Sequence, residues 1–517
     1  MKDNVGIQNY PKVNINFSPK IPLLKKIKDK TQVDVRYCLI EPFAFVHIYW
    51  DSKIYELVYE IEEPVMNQQE TEWKNQMTTA MRNIIDFDTL VEKDANKLLT
   101  YIDERFKFLA VEFGINISYE TYKKIYYYLC RDFVGLNEIE PILRDYYVED
   151  IECNGINTPI YIVHRIYRNI RSNVSFKETS TAESFVEKLA QRCGKYISYS
   201  QPILDGTLPD GSRVNATYTK DITSRGPTFT IRKFTKTPWT PTQLVALNTL
   251  SPEMLAYLWL VVQYKMNILI TGGTSSGKTT LLNAISFFIS PEARIVSIED
   301  TRELNLSREN WLPSVVRGAT GLGDVGEVDL FTLLKNSFRQ NPDYVIVGEV
   351  RGKEASVLFQ GMASGHSSIS TIHADSVDTV IKRLETPPIE LSPTLLNVLD
   401  CVCIMTHAIT NKQETRKLRE IVEVVNVTSD GVAITNTPFV WNPSNDQFYF
   451  KRSSKILDKI TKRYGINIKE IEIEFKRRTE LIYKLYQRGI LGFDEVQEIV
   501  MKYYKKPEEV LREFEIA

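Results

Sequence analysis

The chain has 517 residues, with 64 Lys and Arg against 66 Asp and Glu, and a formal net charge of −2. Hydrophobic residues make up 43% and charged ones 25%, an ordinary globular composition. This excludes a collagenous, low-complexity or wholly disordered chain, gives no whole-chain electrostatic case for nucleic-acid binding, and predicts about two to four domains.

The first 35 residues read as an extended basic segment, with Lys20, Lys25, Lys26, Lys28 and Lys30 around Ile21-Pro22-Leu23-Leu24. A solvated tail is favoured over docking to an acidic partner or membrane surface. The opening Met1-Lys2-Asp3-Asn4-Val5-Gly6 carries no apolar signal core. Residues 36–145 follow as a mixed unit. Phe43–Trp50 and Lys53–Glu62 form a hairpin about Asp51-Ser52, then come two helices. Ala95, Leu98, Leu99, Ile102 and Phe106 mark the first; Tyr119–Cys130 is the second, its Tyr126-Tyr127-Tyr128 run read as packing. Residues 146–234 alternate short strands with turns such as Asn154-Gly155 and Pro209-Asp210-Gly211, a small α/β domain.

Residues 235–243, with Pro238 and Pro241, read as a semi-rigid linker. Beyond it, over 244–517, apolar runs at Asn267–Thr271, Arg294–Ile298, Tyr344–Val347, Ser367–Ile372 and Cys401–Met405 alternate with helical stretches. That is the pattern of a largely parallel sheet covered by helices, a two-lobed α/β chain overall. The longest apolar stretch, Met254–Ile270, is broken by Gln263, Lys265 and Asn267, so no membrane span is predicted and the reading is cytoplasmic. From Ser453 onward the tail is helical. Ile471, Phe475, Ile482 and Leu485 share a face, Gly489 ends that helix, Asp494 caps the next and Pro507 interrupts it. Six cysteines are too sparse for a disulfide scaffold. The absence of C-x-x-C argues against a zinc module, and Cys401 and Cys403 read as buried hydrophobes ahead of a thiol pair.

Four motifs carry chemistry. Gly272-Gly273-Thr274-Ser275-Ser276-Gly277-Lys278-Thr279, followed by Thr280, fits the phosphate loop G-x-x-x-x-G-K-[ST] between a strand and a helix. Its backbone N–H groups wrap a polyphosphate, Lys278 reaches the β- and γ-phosphates of ATP, and Thr279 ligates Mg2+. Ile298-Glu299-Asp300-Thr301-Arg302-Glu303 places carboxylates at the carboxyl end of the next strand, where they ligate metal or orient water. Tyr344-Val345-Ile346-Val347-Gly348-Glu349-Val350-Arg351 ends an apolar strand in an acid. The position before Glu349, usually the magnesium-linked Asp, is Gly348. The metal then leans on Thr279, water, Glu349 and Glu299. Gly365-His366 to His373-Ala374 holds two of the five histidines, with His373 placed to donate to a γ-phosphate.

In this order the motifs resemble the secretion-system ATPases of the type II/type IV pilus superfamily, here as GGTSSGKTT, IEDTRE, VIVGEVR and GHSSISTIHADS. The archaeal branch is the nearer likeness, the archaellum motor ATPase and related pilus ATPases, on Arg383-Leu384-Glu385-Thr386-Pro387-Pro388 and Phe439-Val440-Trp441-Asn442-Pro443. The resemblance implies a RecA-like P-loop ATPase domain, a smaller PAS-like N-terminal domain with a variable extension, and a homohexameric ring. It implies peripheral association with the cell membrane through a polytopic platform protein, and assembly or rotation of a pilus-like filament. It also implies arginines that neutralise γ-phosphate charge. Arg213 leads by motif, with Arg225, Arg232 and Arg383 as further candidates. Glu349 and the acidic box of Glu299, Asp300 and Glu303 compete as general base. A RecA-like ring translocating nucleic acid or protein is the alternative, although no nucleic acid is expected from the charge balance.

Overall fold

The computed structural model describes residues 7–517 except 20–21, 23, 25–26, 28, 85–94, 235–236, 318–325, 411–412 and 452. The lysines at 20, 25, 26 and 28 lie outside the described residues. Two compact units divide the chain, Met1–Phe234 and Thr235–Ala517. No helix among the described residues is long and apolar enough to cross a membrane.

The first unit is built on a nine-stranded sheet, counted among the described residues. Its strands are β1 Asp34–Ile40, β2 Ala44–Asp51, β3 Glu56–Glu62, β4 Val148–Cys153, β5 Pro159–His164, β6 Arg168–Ser175, β7 Ile203–Thr207, β8 Arg213–Thr217 and β9 Thr228–Arg232. The order is β1-β2-β3-β6-β5-β4-β9-β8-β7. Residues 36–145 and 146–234 therefore share one sheet, joined where β3 pairs β6 in parallel. Helices Gln68–Ile84, Ala95–Glu112 and Tyr119–Phe133 pack together beside it. In the last, Tyr126, Tyr127 and Tyr128 are buried, and their hydroxyls donate to Leu99 O, Glu63 Oε1 and Pro64 O at 2.6–2.8 Å. The run is core packing with each polar tip satisfied. The opening segment departs from the expected solvated tail. Ile7, Val13 and Ile15 are buried in this core, and Asn16 bridges Glu41. These three apolar side chains, with Tyr10 and Phe17 packed partly against the same core, tie the segment down, each fully buried aliphatic contributing about 1.5–3 kcal/mol.

A titratable knot lies under this sheet. Asp145 is fully buried and accepts from Tyr37 and Tyr59 hydroxyls at 2.7 Å each. His164, also fully buried, stacks between Tyr147 and Tyr167, and its Nδ1 accepts from the N–H groups of Ile166 and Tyr167 at 3.2 Å. Burial pushes its imidazole from the ordinary 6.5 down to about 4, with Arg165 and Lys233 acting in the same sense against Asp145. The unfolded chain therefore takes up the proton first as pH falls. The neutral ring's contribution is full above about 6.5 and is lost toward about 4, a change of about 3 kcal/mol. Urea unfolding of the full chain at a series of pH values is expected to show this slope. His164→Asn, a neutral acceptor, is expected to flatten it.

The second unit carries β10 Ile268–Gly272, β11 Ile295–Glu299, β12 Trp311–Val315, β13 Tyr344–Val347, β14 Ser367–Ile372, β15 Cys401–Thr410, β16 Gln413–Val427, β17 Ala433–Asn442 and β18 Gln447–Phe450. Their order is β12-β11-β13-β14-β10-β15-β16-β17-β18. Strands from β12 to β15 run parallel, and β15 to β18 are antiparallel. β10, β11, β13 and β14 are buried throughout, as strands of a doubly covered sheet are; β14 does this with small hydroxyl residues, Ser367, Ser368, Ser370 and Thr371, beside Ile369 and Ile372. The P-loop strand β10 lies between β14 and β15, and β13 lies one strand beyond β14, the order of a RecA-like core.

One core covers each face of this sheet. Helix Pro252–Gln263, which takes in the first part of the apolar stretch Met254–Ile270, is buried nearly all round in the first of them. The C-terminal helices join the same core through Ile471, Leu481, Leu485, Val496 and Tyr503. Two local expectations are corrected. Pro241 opens helix Pro241–Ala246 behind a Thr240/Gln243 capping box instead of lying in extended linker, because the first helical turn needs no N–H from it. Gly492, not Asp494, precedes helix Phe493–Lys505, and Asp494 sits in its first turn.

Candidate functional site

The site forms where β10, β11, β13 and β14 all end, the edge at which open parallel sheets bind ligands. Gly272 closes β10 against β15. A Cβ there would meet Met405 O at 2.5 Å and Ser276 Oγ at 2.6 Å, so only glycine fits. Gly277 turns the chain at φ +96° into helix Lys278–Ser286. Gly273, Thr274 and Ser275 stay exposed on the loop, and a Cβ on Gly273 would touch nothing within 4 Å. Thr279 and Thr280 lie half-buried in the first helical turn. That helix's first N–H groups have no intrahelical acceptor and face the loop's open side with the positive end of the helix.

Lys278 is buried, and its ammonium donates to Gly272 O at 3.1 Å, Gly273 O at 2.9 Å and His373 Nδ1 at 3.2 Å. His373 directly follows β14, and its Nε2 lies 3.0 Å from Glu349 Oε1. Glu349, two residues past β13, gives its other oxygen to Arg351 Nη2 at 2.6 Å. One row thus alternates cation, neutral ring, anion, cation. The ring accepts at Nδ1 from an ammonium, so its proton is at Nε2, the nitrogen beside Glu349. Burial and then Lys278 lower the His373 pKa from its ordinary value, which keeps the ring neutral. Burial also lowers Lys278, opposed by the Glu349 and Glu303 carboxylates. For Glu349, burial pushes the carboxyl up, but Arg351, His373 and Lys278 together hold it below its ordinary value.

Backbone ties hold the row in place. Thr371 Oγ1 donates to Gly348 O at 2.7 Å, Val350 N to Thr371 O at 2.8 Å, and Thr271 Oγ1 to Ala374 O at 2.6 Å. Thr274, Glu349, Val350, Arg351, His373 and Arg383 line a cleft of about 330 Å³, where Arg383 also donates to the His373 carbonyl.

The acidic box divides into two roles. Glu299 is 1% exposed, and its Oε1 accepts from the N–H groups of Glu303 and Leu304 at 2.8 Å each. It holds the turn on which Asp300 and Glu303 stand exposed. Asn283, on the helix after the P-loop, ties that turn through Glu303 O at 3.3 Å and Asn305 N at 3.1 Å. Burial pushes the Glu299 carboxyl up to about 7. Its side chain also fills the space beside Gly348. A Cβ at 348 would meet Glu299 Cγ at 3.1 Å. The glycine in place of the usual Asp is thus a steric partner of the neighbouring strand's glutamate. Gly348→Asp, which restores the usual acid, is expected to destabilise the chain by about 1–3 kcal/mol by overpacking. Adding Glu299→Ala is expected to recover part of that loss in thermal unfolding.

Arg213 and Arg232 lie in the first unit as direct cross-strand partners on β8 and β9. Arg213 forks onto Asp205 at 3.3–3.4 Å, and Arg232 is 3.9 Å from Asp150. Like charges directly opposite each other are unfavourable in a sheet, and here each arginine is offset by a carboxylate of its own unit, Asp205 or Asp150. Arg225 is exposed on the loop between β8 and β9. The structure thus brings Lys278, His373 and Glu349 into contact, sets Glu303 within their field, and leaves Glu299 beneath the turn. Arg351 was not singled out in the sequence, although its place two residues after Glu349 was the available signal.

The exposed loop, the Gly272 close approach, Lys278 and the Thr279 hydroxyl fit a nucleotide phosphate chain, and Glu349 adds the acid a magnesium site requires. Loop, strand order and acid–histidine row define a P-loop nucleotide-binding protein of RecA-like topology. The type II/IV secretion system protein family model matches residues 141–432, more than half of the chain, and the chain belongs to that family. It is 33% identical to the uncharacterized protein MJ0900 of Methanocaldococcus jannaschii, over 97% of this chain and 94% of that one. It is 31% identical to the conjugal transfer protein TrbB of Rhizobium radiobacter, over 47% of this chain and 75% of that protein. Among solved structures, the Legionella pneumophila ATPase DotB aligns with 69% of this chain and 93% of its own, at 16% identity and a TM-score of 0.39.

Proposed function

We propose that this protein is a Mg2+-dependent ATP hydrolase that works as a cytoplasmic homohexameric motor at the inner face of a membrane. Its ring acts on a polytopic platform protein to assemble, or rotate, an archaeal pilus-like filament. The contact row Lys278–His373–Glu349 at the P-loop carries the catalytic part of this reading. Family membership supports the secretion-system context, and the M. jannaschii relative supports the archaeal likeness.

In this reading the loop N–H groups and Lys278 bind and orient the phosphates, and Thr279 and Glu349 are the residues that would hold Mg2+. The ion, when bound, neutralises charge developing on the phosphates. His373 holds its proton at Nε2 against Glu349. It trades its Nδ1 contact when Lys278 leaves the loop carbonyls for a phosphate, which lets the row sense the γ-phosphate. Glu349, or a carboxylate of the Asp300/Glu303 turn that Glu299 positions, orients the attacking water. The paired Arg213 and Arg232 are the arginines proposed to meet phosphate charge.

A second reading, a ring that translocates nucleic acid, draws on the likeness to a conjugal transfer protein. One experiment separates them. ATPase activity is expected to rise in lipid vesicles that carry the platform protein and to stay unchanged with single- or double-stranded DNA. Stimulation by DNA alone would favour the second reading.

A further inference from the structure

β15 and β16 run past the P-loop. The parallel part of β15 ends at Met405, paired with Gly272, and a register shift follows between Ile404 and Met405. Beyond it, Thr406 to Thr410 pair with Lys417 to Gln413 as a two-stranded ribbon on which Arg416 lies opposite His407. Strand alternation puts Arg416 on the face that carries Leu418 and Met405. Those two share one core with Leu281 and Leu282 of the P-loop helix. Arg416 therefore overhangs that helix's N-terminus. A Cβ built on Gly277 would lie 3.4 Å from Arg416 Cδ and 3.3 Å from Met405 Cε.

Two cations thus flank one loop from opposite sides. β10 has β14 on one side and β15 on the other. His373 and Glu349 reach Lys278 from the β14 side, and Arg416 reaches the loop from the side of β15 and β16. A triphosphate laid along the loop's N–H groups has its terminal phosphate beside Lys278 and Glu349, where hydrolysis takes place. Its nucleoside end then falls on the Arg416 side. A guanidinium is built to fork onto phosphate oxygens in charge-assisted hydrogen bonds.

We propose that Arg416 binds the α-phosphate end of the nucleotide, so that the β15–β16 ribbon reads occupancy by ATP and ADP alike while the Lys278–His373–Glu349 row reads the γ-phosphate. This rests on the ATP reading above. The test is ATP and ADP affinity by isothermal titration for the wild-type full chain, Arg416→Gln and Arg416→Lys, beside thermal unfolding without nucleotide. Arg416→Gln is expected to weaken ATP and ADP equally, each by about tenfold or more, with their ratio unchanged and partial recovery in Arg416→Lys.

A loss confined to ATP would put Arg416 at the terminal phosphate and overturn the proposal. Unchanged affinity for both would overturn it as well. So would a fall in melting temperature whose affinity loss lysine does not restore, which marks a packing role. If the wild type bound neither nucleotide, the ATP reading itself would fail, and this proposal with it.

Discussion

Replacing Lys278 with alanine is expected to lower kcat for ATP hydrolysis by about a thousandfold and to weaken ATP binding by about tenfold or more, read in steady-state assays and nucleotide titrations. Lys278 is the buried cation of the P-loop, and three acceptors already converge on it: two loop carbonyls and His373. Its ammonium is held at the loop before any phosphate arrives, and it exchanges the loop carbonyls for phosphate oxygens when one does. Alanine removes that charge and also leaves Gly272 O, Gly273 O and His373 Nδ1 without their donor. Restored activity at saturating ATP would mean that Lys278 contributes to binding alone.

Glu349→Gln is expected to separate binding from chemistry. ATP affinity should stay within about threefold, while kcat falls by about a hundredfold to ten-thousandfold, the range for loss of a positioned acid or base. Glutamine keeps the shape and both contact distances, to His373 and to Arg351, but not the charge. In the native row that charge is defended, because Arg351, His373 and Lys278 hold the carboxyl ionised against burial. Normal turnover in this variant would move the water-orienting role to Asp300 or Glu303, the exposed carboxylates on the turn held by Glu299.

The parallel core was legible in the sequence for a physical reason. A strand buried on both faces tends to be a continuous apolar run, as Tyr344–Val347 is; Ser367–Ile372 also carries its predicted bounds, although four of its six buried residues are Ser or Thr. The P-loop was legible because glycine positions and a following helix are local requirements. What escaped was non-local. Glu299 and Gly348 meet only through the register that pairs Ile298 with Val347 across β11 and β13. A lone sequence shows a missing Asp at 348, but not the glutamate that fills its place.

The antiparallel strands β16 to β18 were also not anticipated. β16 has two register irregularities against β17, at Ile421/Glu423 and Val424/Asn426, which break the period-two signal. Within β16, Glu423 reads as a surface acid. It is in fact fully buried and accepts from Tyr257, Asn436, Ser454 and the N–H groups of Lys455 and Ile456, closing the N-terminus of helix Lys455–Tyr464. Arg416 owes its place over the P-loop to the same unforeseen ribbon.

Specific ATPase rate with Mg2+ as a function of protein concentration, beside Lys278→Ala, tests most directly the claim that this chain is an assembling motor. The account predicts a rate per subunit that rises steeply and then saturates in the wild type and is absent in the variant. A rate per subunit that is constant across concentrations would contradict it, because one chain alone would then suffice for the chemistry.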